Sequence, residues 1–503
     1  MADIHFGTDG WRAIIGEDFT CENVVRVVDA AARVYKAAAL DAGRSVEDPG
    51  IIYIGHDCRQ NAHEYAMLAA QVVAEHGFNV VLTEDYCPTP TLCWSVAHDD
   101  EAVGGIMLTS SHNPAEYLGI KLRMADGGAS PKEFTDLVEA AMAEDESDDP
   151  AIEALKALTV EDILEAEAND APLSEVVTVE RAETKPIAVV DLMSSYLEAL
   201  TQLVDTEAIA AANLHVVIDP LYGAGRVYLA ELLRSMGVDV VEIDNAKDPT
   251  FDGLHPEPIP PWVDRGLAKV KELGYDALFI NDGDADRIGA GDSRGNFVNP
   301  HRIIALITQH MVDRGETGKV VSTVTASALL ERLCRKLGLE YISTPVGFKW
   351  IYGEMERGGV MVGGEESGGI GLPEHVKERD GLLMALLLTE MMAQTGKDLG
   401  TLVDEMLDEL GRLEFTRRGL SVTDEQMDNF RTNIIPTLAP EEVIGIRVKD
   451  IDRRDGVKLL LDGDAWVMMR PSGTEPLIRI YAEAETTDEV DALLDWAESL
   501  ITA

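Results

Sequence analysis

The stretch Val103-Gly104-Gly105-Ile106-Met107-Leu108-Thr109-Ser110-Ser111-His112-Asn113-Pro114 is an apolar run that ends in a short polar loop. The run reads as a buried strand, and the loop begins where that strand stops. A serine placed there sits at the carboxyl edge of a sheet, where open α/β folds carry their chemistry. Ser111 has His112 and Asn113 beside it and Lys121 ten residues on. Taken alone, Ser, Asn and Pro make an ordinary turn. Three further loops, remote in sequence, each supply a part that phosphate chemistry needs, and they decide the reading of this one.

Outward from this loop, strands and helices alternate. Residues 22–42 have helical spacing, 51–54 read as a short strand ending in Gly55-His56-Asp57-Cys58-Arg59, and a second strand at 79–83 follows a helix. That alternation predicts a parallel sheet with crossover helices. An acidic, Ala-rich stretch from about 143 to 170 reads as a solvated helix and connector. The pattern restarts at 214–218 and again at 320–324, then gives way after about 412 to antiparallel-looking strands and one closing helix. The expected fold class is α/β: three similar mixed α/β domains at 1–185, 186–299 and 300–411, with a C-terminal α+β domain at 412–503. A chain of 503 residues is too long for one core. The turn Tyr222-Gly223-Ala224-Gly225 lacks the full glycine spacing of a dinucleotide loop.

Composition narrows the function. The chain carries 91 Asp and Glu against 42 Lys and Arg, a net charge of −49. Nucleic acid and anionic membrane both need basic surface and are excluded as partners. The absence of a leader and of a long apolar run points to a soluble, cytoplasmic protein. Five scattered cysteines without a paired spacing read as reduced thiols. Such an acidic shell repels itself unless salt screens it, so a halophilic source is expected. Activity and stability should then both rise from dilute buffer towards about 2 M KCl, where screening is complete within a few ångströms; maxima in dilute buffer would refute the idea.

The loop Asp282-Gly283-Asp284-Ala285-Asp286-Arg287 follows an apolar strand. Alternate residues of an extended segment point to one side, so the three carboxylates converge. Uncompensated charges about 4 Å apart repel by roughly 4 kcal/mol per pair at an effective dielectric of 20, so a cation belongs there. An all-oxygen site suits Mg²⁺. An EF-hand fails, because Arg287 and Ser293 stand where Gly and Glu are required. Arg287 offers a fixed fork to a phosphoryl group. Gly363-Gly364-Glu365-Glu366-Ser367-Gly368-Gly369 places acceptors between permissive glycines, where Glu365 and Ser367 can bond sugar hydroxyls. Arg470-Pro471-Ser472-Gly473-Thr474-Glu475-Pro476 sets an Arg, two hydroxyls and backbone N–H groups in one turn, a nest for a phosphate monoester.

With these four loops in this order, the chain resembles the α-D-phosphohexomutases, which include phosphoglucomutase and phosphomannomutase. The resemblance spans essentially the whole chain. It implies four domains around a central active-site cleft, with one loop from each. It implies that Ser111 is a phosphoserine, and that Asp282, Asp284 and Asp286 hold Mg²⁺ together with that serine's phosphate. Glu365 and Ser367 match sugar-hydroxyl readers. Arg470, Ser472, Gly473 and Thr474 match the cradle for the non-reacting phosphate. Lys121 and Lys349 match lysines of proton transfer or phosphate contact, and Arg12, Arg59, His112 and Arg479 match supporting groups that bind substrate or assist catalysis. Gly368-Gly369 departs from the Gly-His of some branches, which favours the glucose or mannose side over phosphoglucosamine.

The implied reaction interconverts hexose 1-phosphate and hexose 6-phosphate through a hexose 1,6-bisphosphate intermediate that turns around in the cleft. Lys121, Lys349 and His112 are each able to take the sugar hydroxyl's proton. Phosphoglucosamine and phosphopentose remain as other substrates, phosphoserine hydrolysis as another reaction, and a silent sugar-phosphate binder as another class. Sequence leaves monomer and homo-oligomer open.

Overall fold

The computed structural model describes residues 4–7, 9–144, 149–169, 171–176, 185–472 and 477–502; Gly473 and Thr474 lie outside the described residues. Four sheets follow one another along the chain. The first has the strand order Trp11–Ile14, Tyr117–Met124, Ala102–Leu108, Ile51–His56, Asn79–Thr83, Ile187–Val190. Its last four strands are parallel, while Trp11–Ile14 and Tyr117–Met124 pair antiparallel. Helix alternation alone predicted a parallel sheet. The difference is one of loop length: residues 109–116 are too few to hold a crossover helix, so the chain must turn straight back. The strand Ile187–Val190 pairs with Asn79–Thr83, so the first sheet runs past the expected boundary at 185. Its weak signal after an acidic connector hid it.

The same device recurs. In the second sheet Ala277–Asn281 turns back through 282–287 into antiparallel Ile288–Asp292. In the third, Val360–Gly364 turns back through 365–369 into Ile370–Gly371. The fourth sheet is antiparallel throughout, and in it Trp466–Pro471 pairs with the next strand of the chain, Leu477–Ala484. The first three motifs therefore fall between strands that pair antiparallel and hold them in place, and the described strands before and after the fourth pair in the same way.

Local sequence fixes the helices that support these loops. Asn299 caps Pro300–Asp313 through the Arg302 N–H, with proline at the first turn where its missing donor costs nothing. Helix Gly381–Thr395 is apolar on every face and accordingly buried. Asp380 caps it through the Leu383 N–H, and Gly381 N–H donates to the Ala285 carbonyl at 3.1 Å. The positive end of this helix thus abuts the acidic loop and offsets its charge. One apolar core is continuous from the second sheet into the third domain, whereas the fourth domain has its own core around Val457, Ile480 and Leu494. No helix among the described residues is long and apolar enough to cross a membrane. All five cysteines are free thiols.

Candidate active site

Ser111 is buried at 1% exposure, in the left-handed region at φ 49°, a strained setting for a non-glycine residue. Its surroundings impose that conformation. Ser111 N–H donates to Thr109 Oγ1 at 2.9 Å, and Thr109 in turn donates to Asp57 Oδ2 at 2.6 Å. The Ser111 carbonyl accepts from Arg59 at 2.7 Å. Across the domain boundary, a Cβ on Gly283 would lie 2.3 Å from the Ser111 carbonyl oxygen, so only glycine allows the two loops this close. The result is that Ser111 Oγ donates to Asp282 Oδ2 at 2.9 Å and lies 3.2 Å from His112 Nδ1. Burial, with Arg287 and Arg12 adding to it, pushes the His112 pKa well below the ordinary imidazole value, so the ring is neutral.

Asp282, Asp284 and Asp286 are fully buried, each with a carboxylate oxygen within 4.8 Å of the others. Asp284 Oδ1 and Asp286 Oδ1 have no hydrogen-bond partner among the described residues. Orphaned hard oxygens on converging carboxylates fit a metal cation. Burial and the neighbouring Asp286 and Asp284 raise the Asp282 pKa well above the carboxylate range, as expected of a site that lacks enough positive charge of its own. The cations supplied by the chain are Lys121, Arg379 and Arg287. Lys121 Nζ donates to Asp284 at 2.7 Å and Asp286 at 2.8 Å, and pairs with Asp9 at 3.1 Å. Arg379 reaches Asp286 at 2.9 Å and Asp9 at 2.5 Å. Arg287 stands 3.9 Å from both Asp282 and Asp286, with its backbone N–H on Asp282 at 3.0 Å. Arg12, held by Asn113 at 2.5 Å, completes a cationic wall beside His112.

The third loop is joined to the second. Arg287 and Gly369 form a β-bridge, and Ile288 N–H donates to the Gly368 carbonyl at 3.0 Å. Glu365 is buried 3.8 Å from Arg379, and its pKa is raised to about 7 by burial and by Glu366, against the pull of Arg379. Glu366 turns away and accepts from Thr325 at 2.6 Å, leaving Glu365 and the half-buried Ser367 to face a ligand. In the fourth sheet Arg470 and Arg479 are directly opposite each other on adjacent strands. Like charges so placed destabilise a sheet unless an anion lies between them, which fits a phosphate cradle. Asp455 orients Arg470 at 2.8 Å, and Ser472 N–H donates to the Leu477 carbonyl at 2.8 Å. Lys349 lines a cavity of about 220 Å³ that extends to Asp9 and Gly10.

Comparison with known proteins follows the same four-part division. Profiles described as phosphoglucomutase/phosphomannomutase alpha/beta/alpha domains I, II and III match residues 3–149, 194–295 and 299–410, and the C-terminal domain profile matches 438–497. A solved structure from Thermus thermophilus, described as a phosphomannomutase, is 33% identical over the whole of both chains, with a TM-score of 0.82. A phosphoglucomutase/phosphomannomutase of Thermococcus kodakarensis is 29% identical over 496 residues, covering 99% of this chain and 98% of that one. A Pyrococcus abyssi protein described as a phosphoglucosamine mutase is 30% identical, covering 99% and 97%. The chain belongs to the phosphoglucomutase/phosphomannomutase family. As a member of that family it is an intramolecular phosphotransferase.

Within this mutase architecture two of the expected residues have their donors taken up by the protein itself. Arg59, expected to bind substrate, has a fully buried guanidinium whose donors are all committed: to Asp57, and to the carbonyls of Ser111, Asn113, Pro114 and Tyr117. Through these bonds it shapes the serine loop. Lys121, one of three expected proton acceptors, is opposed by burial but held above the ordinary lysine pKa by Asp284, Asp286 and Asp9. Its ammonium is thus held among three carboxylates. For Lys349 burial and Lys132 act the other way and lower the pKa. The mutase site also uses residues the motifs did not reveal. Asp9 receives Lys121, Arg123 and Arg379 together. Arg379 fills the space where a side chain at 369 would go: a Cβ on Gly369 would be 2.3 Å from Arg379 Cδ. The Gly368-Gly369 pair and Arg379 are therefore one feature.

Proposed function

We propose that this mutase interconverts the 1- and 6-phosphates of glucose or mannose through a phosphorylated Ser111 and a hexose 1,6-bisphosphate, in the cytoplasm and with Mg²⁺. The observation that carries this reading is the 2.9 Å contact between Ser111 Oγ and Asp282 within a cluster of buried carboxylates and fixed cations. Mg²⁺ held by Asp282, Asp284 and Asp286 would supply neutralising charge at the transferring phosphoryl group. Lys121, Arg379 and Arg287 provide preorganised positive charge on the same group.

In the forward half-reaction the bond from Ser111 Oγ to phosphorus breaks as the sugar oxygen bonds to phosphorus. The sugar hydroxyl proton ends on Ser111 Oγ. His112 is suited to carry it, being neutral and 3.2 Å from that oxygen. The second half-reaction runs the same steps in reverse from the other end of the sugar, with Arg470 and Arg479 holding the idle phosphate. Burial of Ser111 and the aspartates keeps water from the phosphoserine.

The reading is tested by a coupled assay with glucose, mannose and glucosamine phosphates, trace bisphosphate and Mg²⁺, together with intact mass before and after exposure to bisphosphate. Isomerisation with one phosphoryl group gained on Ser111 supports it; phosphate release without isomerisation refutes it. A pH dependence follows from Glu365, which accepts sugar hydroxyls as a carboxylate and has its pKa raised to about 7. The ionised fraction falls as pH drops through that value, so KM is expected to rise roughly tenfold between about pH 8 and pH 6. In Glu365→Gln this component of the profile should vanish, leaving the titration of the substrate's phosphate. An unchanged profile in that variant would remove Glu365 from sugar recognition.

A further inference from the structure

The fourth domain reaches the catalytic half of the molecule through a contact that neither the motifs nor the mechanism uses. Arg417, in strand Glu414–Ser421, stands opposite Tyr481; Arg479, two residues earlier on the partner strand, is on the same face. Arg417 thus shares the face that presents Arg470 and Arg479. Its Nη2 donates not to its own sheet but to Glu257 Oε1 in the second domain, at 2.6 Å. Among the described residues this is the ion pair that ties the fourth sheet to the second domain. Glu257 belongs to segment 255–261, which lies on the acidic loop: Gly283 N–H donates to the Pro256 carbonyl at 3.2 Å. Gly283 is also packed against the Ser111 carbonyl, leaving no room there for a side chain. A mechanical line therefore runs from the phosphate-cradle face through Arg417, Glu257 and Pro256 to the loop that faces Ser111. Arg287 and His255 lie near the same carboxylate and, with Arg417, hold it ionised against the cost of burial.

We propose that Arg417 and Glu257 are positioning residues that latch the fourth domain over the cleft while the bisphosphate is between its two transfers. This rests on the proposed function, because it requires an intermediate that must turn without escaping. The strength of the pair suits that task. The two side chains are 31% and 11% exposed, so the pair is partly hydrated. Pairs of this kind are worth about 1 kcal/mol or less, weak enough to open and reform within a catalytic cycle. A fully buried pair would hold the domain shut and prevent the turn.

The competing role for Arg417 is a third arginine on the substrate's phosphate, in which case Glu257 is a bystander. Glu257→Gln separates the two, since it keeps the shape, removes the charge and leaves every cradle residue in place. Two quantities are measured for Glu257→Gln, Arg417→Ala and Arg417→Lys: bisphosphate released per isomerisation turnover, and the radius of gyration of the unliganded protein by small-angle scattering. The latch predicts that Glu257→Gln and Arg417→Ala each raise bisphosphate loss about fivefold, and both enlarge the particle, while Arg417→Lys recovers most of the wild-type behaviour. Where the parent protein isomerises hexose phosphate, an effect confined to Arg417→Ala, or expansion without added bisphosphate loss, overturns it. Scattering requires no activity, so a protein that expands in both variants yet isomerises no hexose phosphate retains the latch and loses the proposed function.

Discussion

Ser111→Ala is expected to abolish isomerisation of hexose phosphates, with kcat/KM lowered by about 10⁴-fold or more, the scale seen when a covalent nucleophile is removed. The substitution is a clean one here. Alanine and serine share the same difficulty at φ 49°, so the loop geometry imposed by Arg59 and Thr109 is preserved. The change in stability should be confined to the lost hydrogen bond on Asp282, about 1 kcal/mol. Binding of a hexose phosphate, measured by calorimetry, should persist, because Arg470, Arg479, Glu365 and Ser367 are on other domains and untouched. The variant should also gain no mass on incubation with bisphosphate. Full-speed isomerisation by Ser111→Ala would mean that the phosphoryl group travels by another route, and the contact with Asp282 would then be structural only.

Three of the loops were legible because each concentrates residues that have no stable life as a plain turn (three alternating carboxylates, glycines around acceptors, an arginine beside hydroxyls), and together they decided the reading of the serine loop. The hairpin form of those loops was legible too in principle, since 282–287 and 365–369 are too short for a crossover, but helix alternation elsewhere dominated the pattern. What sequence could not give is partnership at a distance. Lys377-Glu378-Arg379-Asp380 reads as a solvated charge run before an apolar helix, yet Arg379 is almost fully buried against Asp9 and Asp286. Asp9 lies among turn formers near the amino terminus and gives no sign that three cations converge on it. Arg59 looks like an anion binder by type, and only the carbonyls around it show that its donors are committed. The strand Ile187–Val190 was lost for a different reason: it is an apolar run of only four residues on an exposed edge, too short to stand out after the acidic connector.

The second large effect is expected at Asp284. Its Oδ2 accepts from Lys121 at 2.7 Å and Thr89 at 2.5 Å, and its Oδ1 has no hydrogen-bond partner among the described residues. Despite burial, Lys121 and Thr89 hold its pKa well below the ordinary carboxylate value, so Asp284 is firmly ionised. Asp282, in contrast, is raised by burial and by its two neighbours. Asp284→Asn keeps the shape and the bond from Thr89 but removes a firmly held negative charge. The concentration of Mg²⁺ needed for half-maximal activity is expected to rise at least about tenfold, and kcat at saturating Mg²⁺ to fall by about 10² to 10³, the range for loss of one preorganised electrostatic group. Calorimetric titration with Mn²⁺ should show the weaker metal binding without reference to turnover. Melting should shift little, because the buried Lys121 ammonium keeps Asp286 and Asp9 as counter-ions and is never left unpaired. That combination distinguishes the two ways Asp284 can matter. If it were chiefly the structural partner of Lys121 and Thr89, the asparagine variant would lose thermal stability and keep its Mg²⁺ dependence; if it holds the cation, stability stays and the metal requirement moves. A variant with the parent's Mg²⁺ dependence and kcat would show that the cation sits elsewhere and that converging carboxylates alone do not locate it.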